Sequence, residues 1–86
     1  KINIEIELSK KSAPRYTKLM QDVVKDNPDA IIYILDNKTK IKSFASIMPK
    51  WQKLYFISID ELIKNINELG QIKPIPQEQS LFDSPI

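Results

Sequence analysis

The residues best suited to chemistry stand at the start of the chain, in Lys1-Ile2-Asn3-Ile4-Glu5-Ile6-Glu7-Leu8-Ser9-Lys10-Lys11. Carboxylates are hard oxygen ligands for Mg²⁺, and an amine beside them can position or activate water at a phosphodiester. Ile2, Ile4, Ile6 and Leu8 alternate strictly with Asn3, Glu5, Glu7 and Ser9. That is the period of a strand, which places Glu5 and Glu7 on one face, roughly 7 Å apart at about 3.3 Å of rise per residue. Two readings follow. Glu5, Glu7 and Lys10 are part of a metal-dependent phosphodiesterase site, or the glutamates are the solvated face of a half-buried strand whose aliphatic face is dry. The second is the expectation for a bare strand pattern.

Composition removes most other chemistry. The 86 residues include no cysteine and no histidine. A disulfide framework, thiolate zinc sites, Ser-His-Asp and Cys-His catalysis are therefore excluded together. The single glycine, Gly70, cannot build a phosphate-cradling or dinucleotide loop. Any catalysis falls to carboxylates and lysines. With 42% apolar and 28% charged residues the chain is ordinary globular material, and its length supports one small domain. A net charge of +2 is too small to name a polyanionic partner. Apolar runs are too short to span a membrane and no signal-peptide pattern is present, so the expected setting is cytoplasmic. The chain opens at Lys1 inside a strand pattern, which reads as part of a longer protein.

The elements that must position these residues follow in order. Ser12-Ala13-Pro14 opens a helix, with Ser12 as cap and Pro14 in the first turn. Tyr16, Leu19, Met20, Val23 and Val24 form its apolar stripe, and Pro28 ends it through its restriction on Asn27. Ala30–Leu35 is a continuous apolar run, as in a strand covered on both faces. Asp36 or Asn37 caps a second helix with Ile41, Phe44, Ala45 and Met48 inward, closed by Pro49. Leu54–Ile57 is a third strand, and Ser58-Ile59-Asp60-Glu61 has capping-box spacing. Leu62, Ile63, Ile66 and Leu69 then predict a buried stripe ending at Gly70. The expected fold is α/β: a small three-layer β-α-β-α-β-α unit over residues 1–70 with a mainly parallel sheet and right-handed crossovers. Residues 71–86, with Pro74, Pro76 and Pro85, read as an extended tail.

A second candidate site is basic. Lys38, Lys40, Lys42, Lys50 and Lys53 lie between Asn37 and Ile59 with no acid among them. Such lysines neutralise phosphates without reading bases, and Trp51 can stack on a base or sugar. Arg15 is a candidate extension of that surface, together with Lys18. The competing reading is a solvated helix face with Trp51 closing the edge of the core.

The strand with Glu5 and Glu7, the helix after it and the apolar strand Ala30–Leu35 resemble the PD-(D/E)XK nuclease-like core. More narrowly, Ile4–Ser12 with Arg15-Tyr16, and the later Ile59-Asp60-Glu61-Leu62-Ile63, are similar to the C-terminal part of plasmid replication-relaxation and mobilisation accessory proteins. The resemblance spans roughly residues 2–69. It implies DNA as partner, in replication or conjugation of a mobile element, and Mg²⁺ held by Glu5 and Glu7 if the domain is a nuclease. The departures are specific. The nuclease lysine stands two residues after the acid, where this chain has Glu7 or Ser9, and a regular strand puts Lys10 on the opposite face. The first acid of that pattern belongs to a preceding strand that this chain does not contain. The resemblance therefore implies a DNA-associated accessory domain rather than an enzyme, with a metal-dependent DNA endonuclease as the alternative.

A further alternative is a protein-interaction domain, docking through the sheet edge or the tail. Gln79-Ser80-Leu81-Phe82 resembles the peptides that dock on bacterial sliding clamps, with Leu81 and Phe82 as anchors. The register that aligns Ser80-Leu81-Phe82 puts Glu78, not glutamine, at the first motif position.

Overall fold

The computed structural model describes residues 1–7 and 12–82, with Leu81 and Phe82 as backbone. The elements are β1 (Ile2–Glu7), α1 (Ala13–Lys25), β2 (Ala30–Leu35), a 3₁₀ turn (Lys38–Lys40), α2 (Ile41–Ile47), β3 (Leu54–Ser58), α3 (Ile59–Leu69), β4 (Ile75–Pro76) and α4 (Gln77–Phe82). This is the expected α/β unit. The sheet order is β1-β2-β3-β4. β1, β2 and β3 run parallel, and β4 adds an antiparallel edge. The 71–86 stretch thus carries more than extended chain, because a strand and a helix follow Pro74.

The register decides which side chains face which layer. Ile31 lies beside Leu54 and Tyr33 beside Phe56, and these odd-numbered residues of β2 face the main core. Tyr16 and Met20 of α1, and Ile41, Phe44, Ala45 and Met48 from α2 and its C-cap, cover that face. Two successive crossovers of one hand place α1 and α2 on the same side of the sheet. Ile32, Ile34 and Ile57 face the opposite side, where Ile59 and Leu62 of α3 pack on them. β2 is buried on both faces, as its unbroken apolar run requires. Tyr16, fully buried, meets Tyr33 edge-on at 6.4 Å and Phe44 at 6.0 Å between ring centroids.

Local signals behave as expected at most boundaries. The Asn37 side chain accepts from the Thr39 amide at 2.9 Å, and the Ser58 hydroxyl accepts from the Glu61 amide at 3.2 Å. Gly70 ends α3 at φ +67°, the left-handed region where a Cβ is penalised. Asn27 also sits at positive φ (48°), a conformation that asparagine tolerates. Ser12 departs from the pattern. Its hydroxyl makes no capping bond, and its carbonyl instead accepts from the Arg15 and Tyr16 amides.

Two burial expectations are overturned. The aliphatic face of β1 is the exposed one: Ile2, Ile4 and Ile6 are 59%, 57% and 67% exposed, whereas Glu7 is buried. The register explains it. Ile4 pairs with Ile32 and Ile6 with Ile34, so the isoleucines share the α3 side of the sheet, and α3 sits over β3 rather than over β1. Glu5 and Glu7 share the α1 side with Tyr33 and Leu35. The same shortage of cover leaves Ile63, Ile66 and Leu69 of α3 about half exposed, although their spacing predicts a buried stripe.

Candidate nucleic-acid interface

Parallel strands joined by helices return each helix end to the same edge of the sheet. The C-terminus of α1 and the loop after α2 therefore meet at the end where β2 and β3 begin. The Ile31 amide donates to the Lys53 carbonyl there, at 2.9 Å. Between the two lies a groove of about 450 Å³ lined by Met20, Val24 and Lys25 of α1 and by Pro49, Lys50 and Trp51 of the loop, with Thr17 and Gln21 on its wall. Its floor is apolar, its rim carries two ammonium groups, and an indole stands at one side.

Trp51 is held in place from two directions. Its amide donates to Gln77 Oε1 at 2.9 Å, and its ring lies 5.9 Å from Lys53 Nζ, within cation–π range. Lys53 is itself anchored, donating to Asn27 Oδ1 at 3.3 Å and to the Pro28 carbonyl at 3.4 Å. It buttresses the tryptophan and fixes the α1–β2 turn against β3. The cations at the groove rim are Lys25 and Lys50, both exposed.

The five lysines grouped by sequence do not form one surface. Lys40 is paired with Asp36 at 3.0 Å, in the turn that precedes α2. Lys38 and Lys42 share that end of the domain. The length of α2 separates them from Lys50, Trp51 and Lys53, a span of roughly 10 Å at 1.5 Å per residue. Arg15 and Lys18 lie on the exposed side of α1, and Arg15 is almost opposite Thr17 around the helix axis. The structure thus brings together Lys50, Trp51 and Lys53 and adds Lys25 of α1, which the grouping by sequence leaves out. The signal for Lys25 is topological: in a βαβαβ unit the last turns of successive helices are neighbours.

The acidic pair has a different environment. Glu5 is exposed and Glu7 buried, on the sheet face that α1 covers. Tyr33, the cross-strand neighbour of Glu5, has its phenol pushed up to about 12 by burial, by the carboxylate of Glu5, by Tyr16 and by Glu7. Among the described residues no three histidine, cysteine, aspartate or glutamate side chains are grouped to hold a metal ion. Glu5 and Glu7 are thus two carboxylates in unlike surroundings, one open to solvent and one buried. Lys10 lies outside the described residues.

The tail contributes structure at its start. Gln77 and Ser80 are buried, and α4 packs against α2. The side chains of Leu81 and Phe82, proposed as docking anchors, lie outside the described residues. No helix among the described residues is long and apolar enough to cross a membrane. No protein-family model matches the chain, and neither a curated protein nor a solved structure matches it.

Proposed function

We propose that this chain is a DNA-associated accessory domain that binds single-stranded segments in the groove between α1 and the α2–β3 loop. The observation that carries this reading is the convergence of Trp51, Lys25 and Lys50 on one apolar-floored groove. A base inside a duplex has its faces stacked and cannot use that floor. An unstacked base can lie against the indole, a contact worth about 1–3 kcal/mol, while flanking phosphates meet the lysines. The setting in plasmid or mobile-element replication or mobilisation rests on the resemblance carried by Ile4–Ser12, Arg15-Tyr16 and Ile59–Ile63. Cleavage is not assigned, because Glu5 and Glu7 lie apart in exposure and without a third carboxylate among the described residues.

The test is intrinsic fluorescence, since Trp51 is the sole tryptophan. Single-stranded oligonucleotide is expected to quench and shift Trp51 emission with saturation, and duplex of equal length to do so more weakly. Two phosphate contacts on a single strand give a salt slope of about −1.4, hence a roughly sevenfold loss of affinity between 50 and 200 mM salt. Quenching that is absent at low salt, or unaffected by Lys25→Gln with Lys50→Gln, removes the reading.

A further inference from the structure

The two edges of the sheet are finished differently. β4 is two residues long and contains Pro76, with Pro74 just before it, the usual way to blunt an edge. β1 is six residues long, aligned residue for residue with β2, and carries no proline. Among the described strands only β2 pairs with it, so its outer edge offers the amides and carbonyls of alternate residues. Its exposed face presents Ile2, Ile4 and Ile6. On the same side of the sheet, Ile63 and Ile66 of α3 are also about half exposed. Asn65 accepts from the Lys73 amide at 2.7 Å, on the path to β4 at the far edge.

We propose that β1 is a self-complementary interface, pairing antiparallel with β1 of a second copy about a two-fold axis at Ile4. The occupant follows from the residue order. With Ile4 opposite Ile4 of the partner copy, Ile2 faces Ile6 and Asn3 faces Glu5. Lys1, whose side chain is exposed, comes to the Glu7 end of the other strand. Apolar residues meet apolar ones throughout, and no carboxylate opposes a carboxylate. Shifting the axis to Glu5 sets Glu5 against Glu5, and shifting it to Ile6 sets Glu5 against Glu7, both of which are repulsive. Moving it to Asn3 keeps the signs but shortens the overlap. The register centred on Ile4 uses the whole strand. It yields one eight-stranded sheet, since each copy contributes four strands, and places the isoleucines of both copies on one side. An isologous contact of this kind closes on itself and leaves no sticky edge.

The experiment uses single cysteines in this cysteine-free chain, with sedimentation across a concentration series. Ile4→Cys is expected to oxidise to a covalent dimer, because directly opposed residues have Cβ atoms within about 4.5–5.5 Å, near disulfide range. Ile2→Cys is not, because its symmetry mate is four residues away along the strand, roughly 13 Å. Without oxidant, Asn3→Lys should tighten the dimer several-fold by facing Glu5, and Asn3→Glu should loosen it by a similar factor. Both substitutions lie at a half-exposed edge position and leave the fold, read by circular dichroism, unchanged. A chain that stays monomeric at all concentrations overturns the proposal. So does equal cross-linking of both cysteine variants, or an Asn3 pair that does not shift association in opposite directions.

Discussion

Gln77 holds Trp51 through its side-chain carbonyl, which accepts the Trp51 amide at 2.9 Å. The same side chain donates through Nε2 to the carbonyls of Ala45 (3.0 Å) and Met48 (3.2 Å), the open end of α2. One buried glutamine therefore satisfies three backbone groups that the end of a helix and a tight loop would otherwise leave without partners. Through it the last helix braces the groove.

Replacing that glutamine with an apolar residue of similar size should be costly. Gln77→Leu leaves two carbonyls and one amide without their partner, and a loss of about 2–4 kcal/mol is expected at roughly 1 kcal/mol or more for each group. Gln77→Glu retains an acceptor for Trp51 but turns carboxylate oxygen toward two carbonyls, and should be no better. Urea denaturation midpoints check both, and Trp51 emission should move in parallel because its loop loses its anchor.

Binding at the groove should respond to charge by position. Lys25→Gln and Lys50→Gln are each expected to reduce the magnitude of the salt slope by about 0.7 on single-stranded DNA. Lys38→Gln and Lys42→Gln, at the far end of α2, should leave the slope unchanged. Anisotropy titrations at several salt concentrations decide it, and equal effects from all four would shift the interface away from Trp51.

Stability should fall at high pH through Tyr33. Its folded phenol titrates at about 12 against an ordinary value near 10. The unfolded chain then binds fewer protons than the folded one between those values. The stabilising contribution is complete below pH 10 and is lost as pH rises to about 12. Thermal midpoints from pH 8 to 12 should drop over that window, and less so in Tyr33→Phe, which cannot ionise.

Two substitutions separate the covered from the open apolar residues. Phe44→Ala, in the main core at 2% exposure, should cost about 3–5 kcal/mol. Ile66→Ser, at 54% exposure, should cost at most about 0.5 kcal/mol. Denaturant unfolding of the pair checks the orientation of α3, and comparable losses would mean that α3 is rotated.

Gly70→Ala isolates backbone conformation from packing. A Cβ at this position meets nothing within 4 Å, so no clash arises. The positive φ remains, and about 1–2 kcal/mol of destabilisation is expected from it alone. Gly70→Asn should recover part of that loss, measurable by the same denaturation.

Local rules made much of the architecture legible. Pro28, Asn37, Ser58 and Gly70 mark boundaries through backbone chemistry that acts within a few residues. The continuous apolar run of β2 and the helical spacing in α2 correctly predict what is buried. The orientation of β1 was not legible, because alternation shows that a strand has two unlike faces but not which of them is covered. That depends on where the crossover helices land, and both land on the glutamate side of the sheet. The α3 stripe misleads for the same reason, since a helix can carry more apolar residues than its neighbours cover. β4 and α4 were missed because their anchor is polar: Gln77 has no hydrophobic period to announce it. At the groove, Lys50, Trp51 and Lys53 were visible as neighbours in sequence. Lys25 becomes their neighbour only through topology.

The strands lie side by side in the order in which they occur along the chain. A nascent polypeptide can therefore lay the sheet down one strip at a time, each new strand docking on the one just finished, with no gap held open for a later arrival. Domains of growing chains assemble from the N-terminal side, so β1 to β3 can form before α4 has left the ribosome. Gln77 then arrives as a closing bolt, and the groove beside Trp51 takes its final shape only when synthesis has passed that residue.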